Sequence, residues 1–249
     1  MLNFLKDNRS KLNLFKKIYR FTKFKYFIKN SNKTLIYIHV GKCGGVTLQK
    51  ALLKSEWIKK FNSFHTIHIE KPPILDNANY VLIIRNPIQR VISAFNWRYK
   101  LVVEDEVQKK RFKGEWDILN KYKNINNLAE QLYRGDQIDR TVEGDFRKIH
   151  HLKENIAYYL KDLLLDLNKS QVLEVFATEF LDEDIFRVLK IRNDLNIHRN
   201  SNKVSKNKKS LSQKGYSNLK RFLSEDYKCL AKILEFNNTS KTRYETLMK

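Results

Sequence analysis

Hydrophobic and polar positions follow two different periods along the chain. Short continuous apolar runs, typical of buried strands, alternate from residue 34 onward with apolar positions spaced three and four apart, typical of helices. Strand and helix in alternation predict an α/β fold with a central parallel sheet covered on both faces, followed by a largely helical C-terminal half. The predicted strands are 34–40, a short one near 65–70, 79–85 and 172–177; the predicted helices are 45–60, 87–103, 182–191 and 212–236, with amphipathic helical segments around 115–133 and 145–165.

The first strand runs into a glycine-rich turn. Residues 41–45 read Gly-Lys-Cys-Gly-Gly, and helical spacing resumes at Val46. A strand, a glycine turn and a helix N-terminus direct backbone N–H groups at one point, which suits an anion. A Walker-A loop places its lysine after the second glycine and before a serine or threonine. Here Lys42 precedes the glycine pair, so we expect a phosphate cradle with a lysine over it and no magnesium ion.

A second strand-to-helix junction follows the strand at 79–85. That strand ends in Arg85, and the next helix opens with Asn86 as N-cap and Pro87 in its first turn. Ligands of parallel sheets bind at the carboxyl ends of the strands, which is where both junctions lie. Each junction brings a cation beside backbone donors. Together they favour a ligand with two separated anionic groups.

The charge of the chain narrows the class of partner. Its 249 residues contain 49 Lys and Arg against 27 Asp and Glu, a net charge of +22 that favours polyanions or anionic membrane. Residues 1–33 contain ten basic residues and one acid, Asp7, interleaved with apolar positions. We interpret this segment as solvent-facing helices that pack on a domain formed by 34–249. The alternative is an interfacial helix held to anionic lipid by its basic face.

The expected compartment follows from what interrupts the apolar runs. No run approaches the roughly 18 residues that span a bilayer, and lysines break up the N-terminal apolar positions, so no secretory signal is expected. The two cysteines, Cys43 and Cys229, do not suggest a disulfide framework. We therefore expect a cytoplasmic protein, held at the inner face of the membrane if residues 1–33 bind lipid.

The two junctions resemble the nucleotide-binding motifs of the carbohydrate sulfotransferases. Residues 39–48, HVGKCGGVTL, are similar to the 5′-phosphosulfate loop of that family, commonly HIPKTGGTSL, and residues 85–95, RNPIQRVISAF, to its 3′-phosphate element. A weaker likeness covers 172–191 and the Asp226-Tyr227 pair. The resemblance implies a P-loop-like fold, 3′-phosphoadenosine 5′-phosphosulfate (PAPS) as the sulfuryl donor, no metal, and a carbohydrate hydroxyl as the acceptor.

The resemblance also implies roles for individual residues. Lys42 would contact the bridging oxygen and the sulfuryl group, Arg85 would form a forked pair with the 3′-phosphate, and Ser93 would reach the same phosphate. The residues implied in nucleotide binding are Gly41, Lys42, Cys43, Gly44, Gly45, Val46, Thr47, Arg85 and Ser93.

Three loop positions depart from the family pattern. Gly41 replaces the usual proline, and Cys43 and Val46 replace hydroxyl residues. Side-chain contacts at these points would be lost or weakened. We therefore expect binding to depend on the backbone donors of residues 44–47.

Transfer to a sugar hydroxyl needs a base, and histidine is the usual choice near neutral pH. In the resembling enzymes the base follows the first helix and precedes the arginine-bearing strand, which brackets His65 and His68. Alternation places His68 on one strand face with Thr66 and Glu70, so we prefer His68 as base, with His65 or Glu70 as the alternatives. A strand puts His65 and His68 on opposite faces, which argues against a metal site.

A second polar cluster is predicted on a helix. His151, Asn155 and Tyr158 or Tyr159 are spaced to share one helical face, and related sulfotransferases take acceptor contacts from this region. Core packing with a polar rim is an equal alternative.

Other classes of function remain open at this point. A nucleic-acid-binding protein would fit the charge, but the basic residues are spread along the chain without a zinc-ligand spacing or an RNP-like motif, so no nucleic acid is expected. A P-loop-like kinase lacks its Lys-Ser or Lys-Thr pair. The basic segment 192–215 is interpreted as closing over the nucleotide or meeting an anionic acceptor, with a disordered loop as the alternative. The acceptor itself is expected to be a glycan, either anionic or lipid-linked.

Overall fold

The computed structural model describes residues 33–191 and 210–249, and its centre is a parallel sheet of four strands in the order β2-β1-β3-β6. The predicted α/β class and the parallel sheet are confirmed. The second strand starts and ends earlier than predicted. The strands of this sheet are β1 (Thr34–His39), β2 (Ser63–Ile67), β3 (Ala78–Ile84) and β6 (Val172–Ala177), and β4 (Tyr133–Arg134) and β5 (Gln137–Ile138) form a separate hairpin.

The burial of each strand matches its position in the sheet. All six residues of β1 are buried, and β3 is buried except at Asn79. Strands buried on both faces must lie in the middle of a sheet with a layer on either side. Strand β2 is mostly half-buried, as an edge strand should be. The arrangement is compatible with a three-layer α/β fold.

The helices surround this sheet and form a second apolar core beside it. The longest buried face is that of α2, which packs with α3, α4, α5 and α9 around residues such as Phe95, Leu119 and Phe146. The helices are α1 (Gly45–Lys54), α2 (Pro87–Tyr99), α3 (Glu115–Tyr122), α4 (Ile125–Gln131), α5 (Arg140–Lys148), α6 (Ile156–Leu160), α7 (Leu163–Asp166), α8 (Leu181–Asp184), α9 (Gln213–Phe222), α10 (Ser224–Phe236) and α11 (Lys241–Met248).

Several predicted helices are divided. Helix α1 ends where the Ser55 hydroxyl donates to the Leu52 carbonyl at 2.7 Å, and a 3-10 turn continues over Glu56–Lys60. Likewise, the predicted helix at 212–236 breaks at Leu223 into α9 and α10. The other short turns are 3-10 at Lys169–Gln171 and Thr178–Phe180, and π-helical at Lys100–Glu104 and Ile185–Leu189.

The segment 145–165 is not a continuous helix. Helix α5 ends at Lys148, and a turn leads to α6, which is capped by the Asn155 side chain accepting from the Tyr158 amide at 2.8 Å. His151 lies in that turn with a left-handed φ of 69°. The predicted helical face shared by His151, Asn155 and Tyr158 is therefore wrong, because the backbone turns before Asn155.

Two predicted segments fall largely outside the described residues. These are the basic N-terminal segment, up to residue 32, and residues 192–209 of the basic segment 192–215. Among the described residues, no helix has both the length and the apolarity needed to cross a membrane.

Candidate functional site

The candidate site lies at the edge where the four parallel strands end. Chain segments that follow parallel strands emerge at the same edge of the sheet. Thr178, just after β6, joins two of them, since its hydroxyl lies 2.7 Å from the Cys43 carbonyl oxygen and 3.0 Å from that of Ile84. The Thr178 hydroxyl therefore connects the glycine turn to the Arg85 junction.

The two glycines of the first turn are required for different physical reasons. Gly44 has a φ of 78°, the left-handed region that glycine adopts without strain. Gly45 has no room for a side chain, because a Cβ there would lie 1.9 Å from Cδ2 of the His39 ring. One glycine makes the turn, and the other lets the imidazole of His39 pack against the start of α1.

The start of α1 offers fewer free donors than predicted. The amides of Thr47 and Leu48 donate to the Gly44 carbonyl at 3.1 and 3.3 Å. Gly45 and Val46 occupy the first helical positions, whose amides have no acceptor within a helix. The expected donor at Thr47 is thus already engaged, which leaves the amides of Gly45 and Val46 at the start of the helix.

Cys43 contributes to the site through its backbone. Its side chain is fully buried in the core, and burial raises the pKa of its thiol to about 12. A neutral buried thiol is inert. The thiol donates to the Gly41 carbonyl at 3.8 Å and supports the turn from the core side, and the Cys43 carbonyl accepts the Thr178 hydroxyl.

The imidazole of His151 fills the space that a side chain at Gly41 would need. A Cβ on Gly41 would lie 2.9 Å from Nδ1 of His151, so the glycine leaves room for that imidazole. A proline here, as in the resembling motif, would meet the same ring. Burial, followed by the charges of His150 and Lys42, lowers the pKa of His151 to about 2, which keeps it neutral.

Lys42 sits among other cations. Its Nζ lies 4.5 Å from the centroid of the Trp97 ring, a cation–π contact. Burial, and then the charges of Arg85 and Arg90, lower its pKa to about 8. A lysine held near other cations is stabilised by an anion placed among them.

Arg85 lies beside Lys42 with unused donor capacity. Its Nη1 donates to the Lys42 carbonyl at 3.3 Å. Its Nε is buried, and no hydrogen-bond partner for it exists in the described part of the chain. A buried, unused N–H of a guanidinium is a donor available to an anion.

Arg90 is fully buried and is held by carbonyl groups. Its Nε donates to the Gly41 carbonyl at 2.9 Å, and its Nη2 donates to that of His151 at 2.8 Å and to that of Glu154. Its Nη1 is buried without a partner among residues 33–191 and 210–249. Arg90 thus joins the glycine turn to the turn that carries His151.

Ser93 lies on the same stripe of α2. It is three residues from Arg90 and four from Trp97, spacings that share one helical face. Those neighbours contact Gly41 and Lys42, so the Ser93 side of α2 is the side of the glycine turn.

His68 follows β2 at the same edge. Its Nδ1 is 3.1 Å from the His39 carbonyl oxygen, and the two imidazole rings stack with centroids 4.2 Å apart. Because a carbonyl only accepts, Nδ1 carries the proton, and Nε2 of neutral His68 is the basic nitrogen. The centroid of the His151 ring lies 6.0 Å from that of the His68 ring. Because His151 also lies against Gly41, His68 is close to the glycine turn.

Two tyrosines of α6 fix the backbone next to His68. The Ile69 amide donates to the Tyr159 hydroxyl at 3.1 Å, and the Tyr158 hydroxyl donates to the Ile69 carbonyl at 3.4 Å. Ile69 has a left-handed φ of 63°.

The alternative bases do not share this place. Strand alternation stops at Ile67, so the predicted common face of His68 and Glu70 is wrong, and Glu70 is exposed. His65 lies three residues back along β2, roughly 10 Å at the rise of a strand. Within the described chain, no group of three or more His, Cys, Asp or Glu side chains is arranged to hold a metal ion.

Sequence reasoning missed Arg90, Trp97 and Thr178. Arg90 stands inside the second motif, and Trp97 one turn beyond Ser93, so helical spacing could have indicated both. Thr178 carries no local signal, because its role depends on β6 lying beside β3.

Comparison with known proteins found no family model, no curated protein and no solved structure that matches this chain.

Proposed function

We propose that the protein is a PAPS-dependent sulfotransferase that acts on a carbohydrate hydroxyl. The observation that carries the proposal is the meeting of Lys42 and Arg85 at two strand-to-helix junctions, where Arg85 Nε is buried and unused within the described residues. Burial, followed by the charges of Arg85 and Arg90, lowers the pKa of Lys42. An anionic ligand would relieve this crowding of positive charge.

The residues fit the two anionic ends of such a nucleotide. The amides of Gly45 and Val46, with Lys42, would hold the 5′ end at the start of α1. Arg85 would hold the 3′-phosphate, with the Ser93 hydroxyl on the adjacent stripe of α2. PAPS supplies the sulfuryl group when it is bound.

The chain's own groups provide the remaining chemistry. His68 Nε2 accepts the proton of the acceptor hydroxyl as its oxygen bonds to sulfur. Lys42 would stabilise the negative charge that develops on the phosphate oxygen as the sulfuryl group leaves it for the acceptor. His39 fixes the tautomer of His68 through its carbonyl.

The proposed acceptor is a glycan, and the net charge of +22 favours an anionic one. A lipid-linked acceptor would suit membrane contact through residues 1–33. The alternatives are a kinase-like nucleotide-binding protein and a basic nucleic-acid-binding protein. The end of β3 argues against the kinase, because Arg85 stands where an acid would hold magnesium.

Thermal shift distinguishes these alternatives. Adenosine 3′,5′-bisphosphate should raise the melting temperature in the presence of a chelator, and ATP with magnesium should do no better. A shift that requires ATP and magnesium would favour the kinase. RNA binding with a steep salt dependence and no nucleotide effect would favour the nucleic-acid class.

Transfer of labelled sulfate from PAPS to a panel of polysaccharides and lipid-linked oligosaccharides tests the chemistry. His68→Ala should reduce turnover by roughly 10²–10⁴, the usual effect of losing a general base. It should bind adenosine 3′,5′-bisphosphate normally, because His68 faces the acceptor. His65→Ala is the matched control and should stay near the parent rate. The reverse result would make His65 the base.

A further inference from the structure

Asp226, on α10, is a fully buried acid outside the proposed catalytic groups. It is 0% exposed, and its Oδ1 accepts the Ala157 amide at 2.8 Å at the start of α6. Its Oδ2 is buried and has no hydrogen-bond partner in the described residues. One oxygen therefore caps a short helix, and the other has no assigned task.

Arg90 is a buried base that, like Asp226, has one polar atom without a partner in the described residues. Its guanidinium is 0% exposed and is bonded only to backbone carbonyls, with Nη1 left over among the described residues. No carboxylate of the described chain lies within the 4.0 Å of an ion pair with it. A buried guanidinium without a counter-charge is strongly unfavourable.

The two groups are anchored to the same short stretch of chain: Arg90 Nη2 donates to the carbonyls of His151 and Glu154, and Asp226 Oδ1 accepts the amide of Ala157, three residues further on. Burial raises the pKa of Asp226 to about 6, and the Arg90 charge opposes that rise more than any other group does. Each has one unused polar atom, of opposite character. Arg90 in turn bonds to the carbonyls of Gly41 and His151, on either side of the site.

We propose that Asp226 is the counter-charge of Arg90 and that the pair positions the glycine turn and the His151 turn for anion binding. Asp226 is thus a positioning residue, and its effect on binding rests on the proposed nucleotide site. The network runs from α10, through Arg90 on α2, to the Gly41 carbonyl beside Lys42.

The sign of the effect separates positioning from simple electrostatics. Removing a negative charge near an anion site should tighten anion binding by Coulomb's law alone. Asp226→Asn keeps an oxygen to cap the Ala157 amide but removes the charge. Weaker binding in this variant would therefore require loss of geometry around Arg90.

The experiment measures the affinity for adenosine 3′,5′-bisphosphate by calorimetry at pH 7.5. Asp226→Asn should raise Kd about tenfold, within the range of couplings between groups of one network. The matched control is Glu225→Gln, which removes the same charge from the exposed side of α10, where Glu225 pairs with Lys161 and Lys228. Its Kd should stay close to that of the parent. Unchanged or tighter binding by Asp226→Asn overturns the proposal.

The pH dependence of nucleotide affinity tests the charge of Asp226, because the loss of a helix cap alone would change the affinity equally at every pH. The Kd values of Asp226→Asn and of the parent should converge below pH 6, where parental Asp226 becomes neutral. The other groups around Asp226 hold their charge there: Arg147 stays cationic, and burial raises the pKa of Cys43, Cys229 and Tyr227. An affinity ratio independent of pH contradicts the counter-charge role.

Hydrogen exchange tests the positioning without any nucleotide. Asp226→Asn should speed exchange in peptides that contain residues 41–47 and 149–155, whereas Glu225→Gln should not. If the parent binds no nucleotide, the proposed function fails, and the exchange result alone decides for or against the Arg90–Asp226 pair. Unchanged exchange in both peptides overturns it.

Discussion

Helix α2 buries two arginines whose surroundings differ. Arg98 is 1% exposed and forms a forked pair with Glu115, with Nε–Oε1 at 2.9 Å and Nη2–Oε2 at 2.6 Å, while its Nη1 donates to Gln108 at 2.6 Å. Arg90 is equally buried, yet it bonds to backbone carbonyls and keeps one nitrogen unused among the described residues.

The difference separates a region whose charges are paired within the chain from a region that we propose binds an anion. The Arg98 region is complete in itself, because planar donors meet a planar carboxylate with nothing left over. The Arg90 region, with Lys42 and Arg85, has excess positive charge and unused donors. Such unsatisfied groups reduce stability and persist where a ligand completes them.

The largest expected effect concerns the complete region. Glu115→Gln should destabilise the fold by about 3–5 kcal/mol, because it leaves the Arg98 charge buried and unpaired. Urea unfolding followed by fluorescence measures this. Glu56→Gln, which breaks an exposed pair with Lys59, is the control and should change stability by under about 1 kcal/mol. An equally small loss in Glu115→Gln would remove the contrast between the two arginines.

The next effect concerns ligand binding in the incomplete region. Arg85→Ala should weaken adenosine 3′,5′-bisphosphate binding by about 2–4 kcal/mol, since a buried phosphate would lose its forked partner. Calorimetry measures it. Arg187→Ala, which removes a half-exposed guanidinium paired with Glu174, should leave affinity unchanged. Unchanged affinity in Arg85→Ala would take Arg85 out of the site.

The sequence could predict the sheet because its strands are local apolar runs. The runs that became β1 and β3 are buried along nearly their whole length, so their signal was strong. The two junctions were also local, since a glycine turn and an Asn-Pro helix start can be identified from neighbouring residues.

The rest of the site depends on contacts that no local pattern contains. Asp226 reaches α6 from a helix far along the chain, and His151 reaches Gly41 because the backbone turns where a continuous amphipathic pattern predicted helix. Periodicity reports which face of an element is apolar. It does not report where a left-handed residue, such as His151 or Ile69, reverses the chain.

A smaller effect tests the fit between Gly41 and His151. Gly41→Ala should destabilise the protein by about 1–3 kcal/mol, because its Cβ would lie 2.9 Å from the His151 ring and force a shift. Gly144→Ala is the matched control: apart from its chain neighbours and the backbone of its own helix, nothing lies within 4 Å of a Cβ there, so it should be neutral or stabilising. His151→Ala combined with Gly41→Ala should recover part of the loss in a double-mutant cycle. Full additivity would show that the two do not compete for space.

The smallest expected effect has an unusual sign. Lys42 has a pKa lowered to about 8 in the folded chain, against about 10.4 when unfolded. The free-energy cost of burying the Lys42 charge is therefore present in full below pH 8. The free energy of unfolding of the parent should rise as the pH rises from 8 towards 10.4, because the folded chain then no longer has to bury that charge. Lys42→Met also loses the cation–π contact with Trp97, which offsets most of the gain from removing the charge. It should therefore raise the melting temperature at pH 7 by about 2–4 °C, as expected for a net gain of about 1 kcal/mol in a chain of this size. That advantage should vanish near pH 10.4, and the stabilisation by adenosine 3′,5′-bisphosphate should be lost at every pH.

Lys50→Met, at an exposed position of α1, is the control and should show neither change. A Lys42→Met protein that melts below its parent at pH 7 would mean that the lysine charge is already satisfied within the chain, as that of Arg98 is.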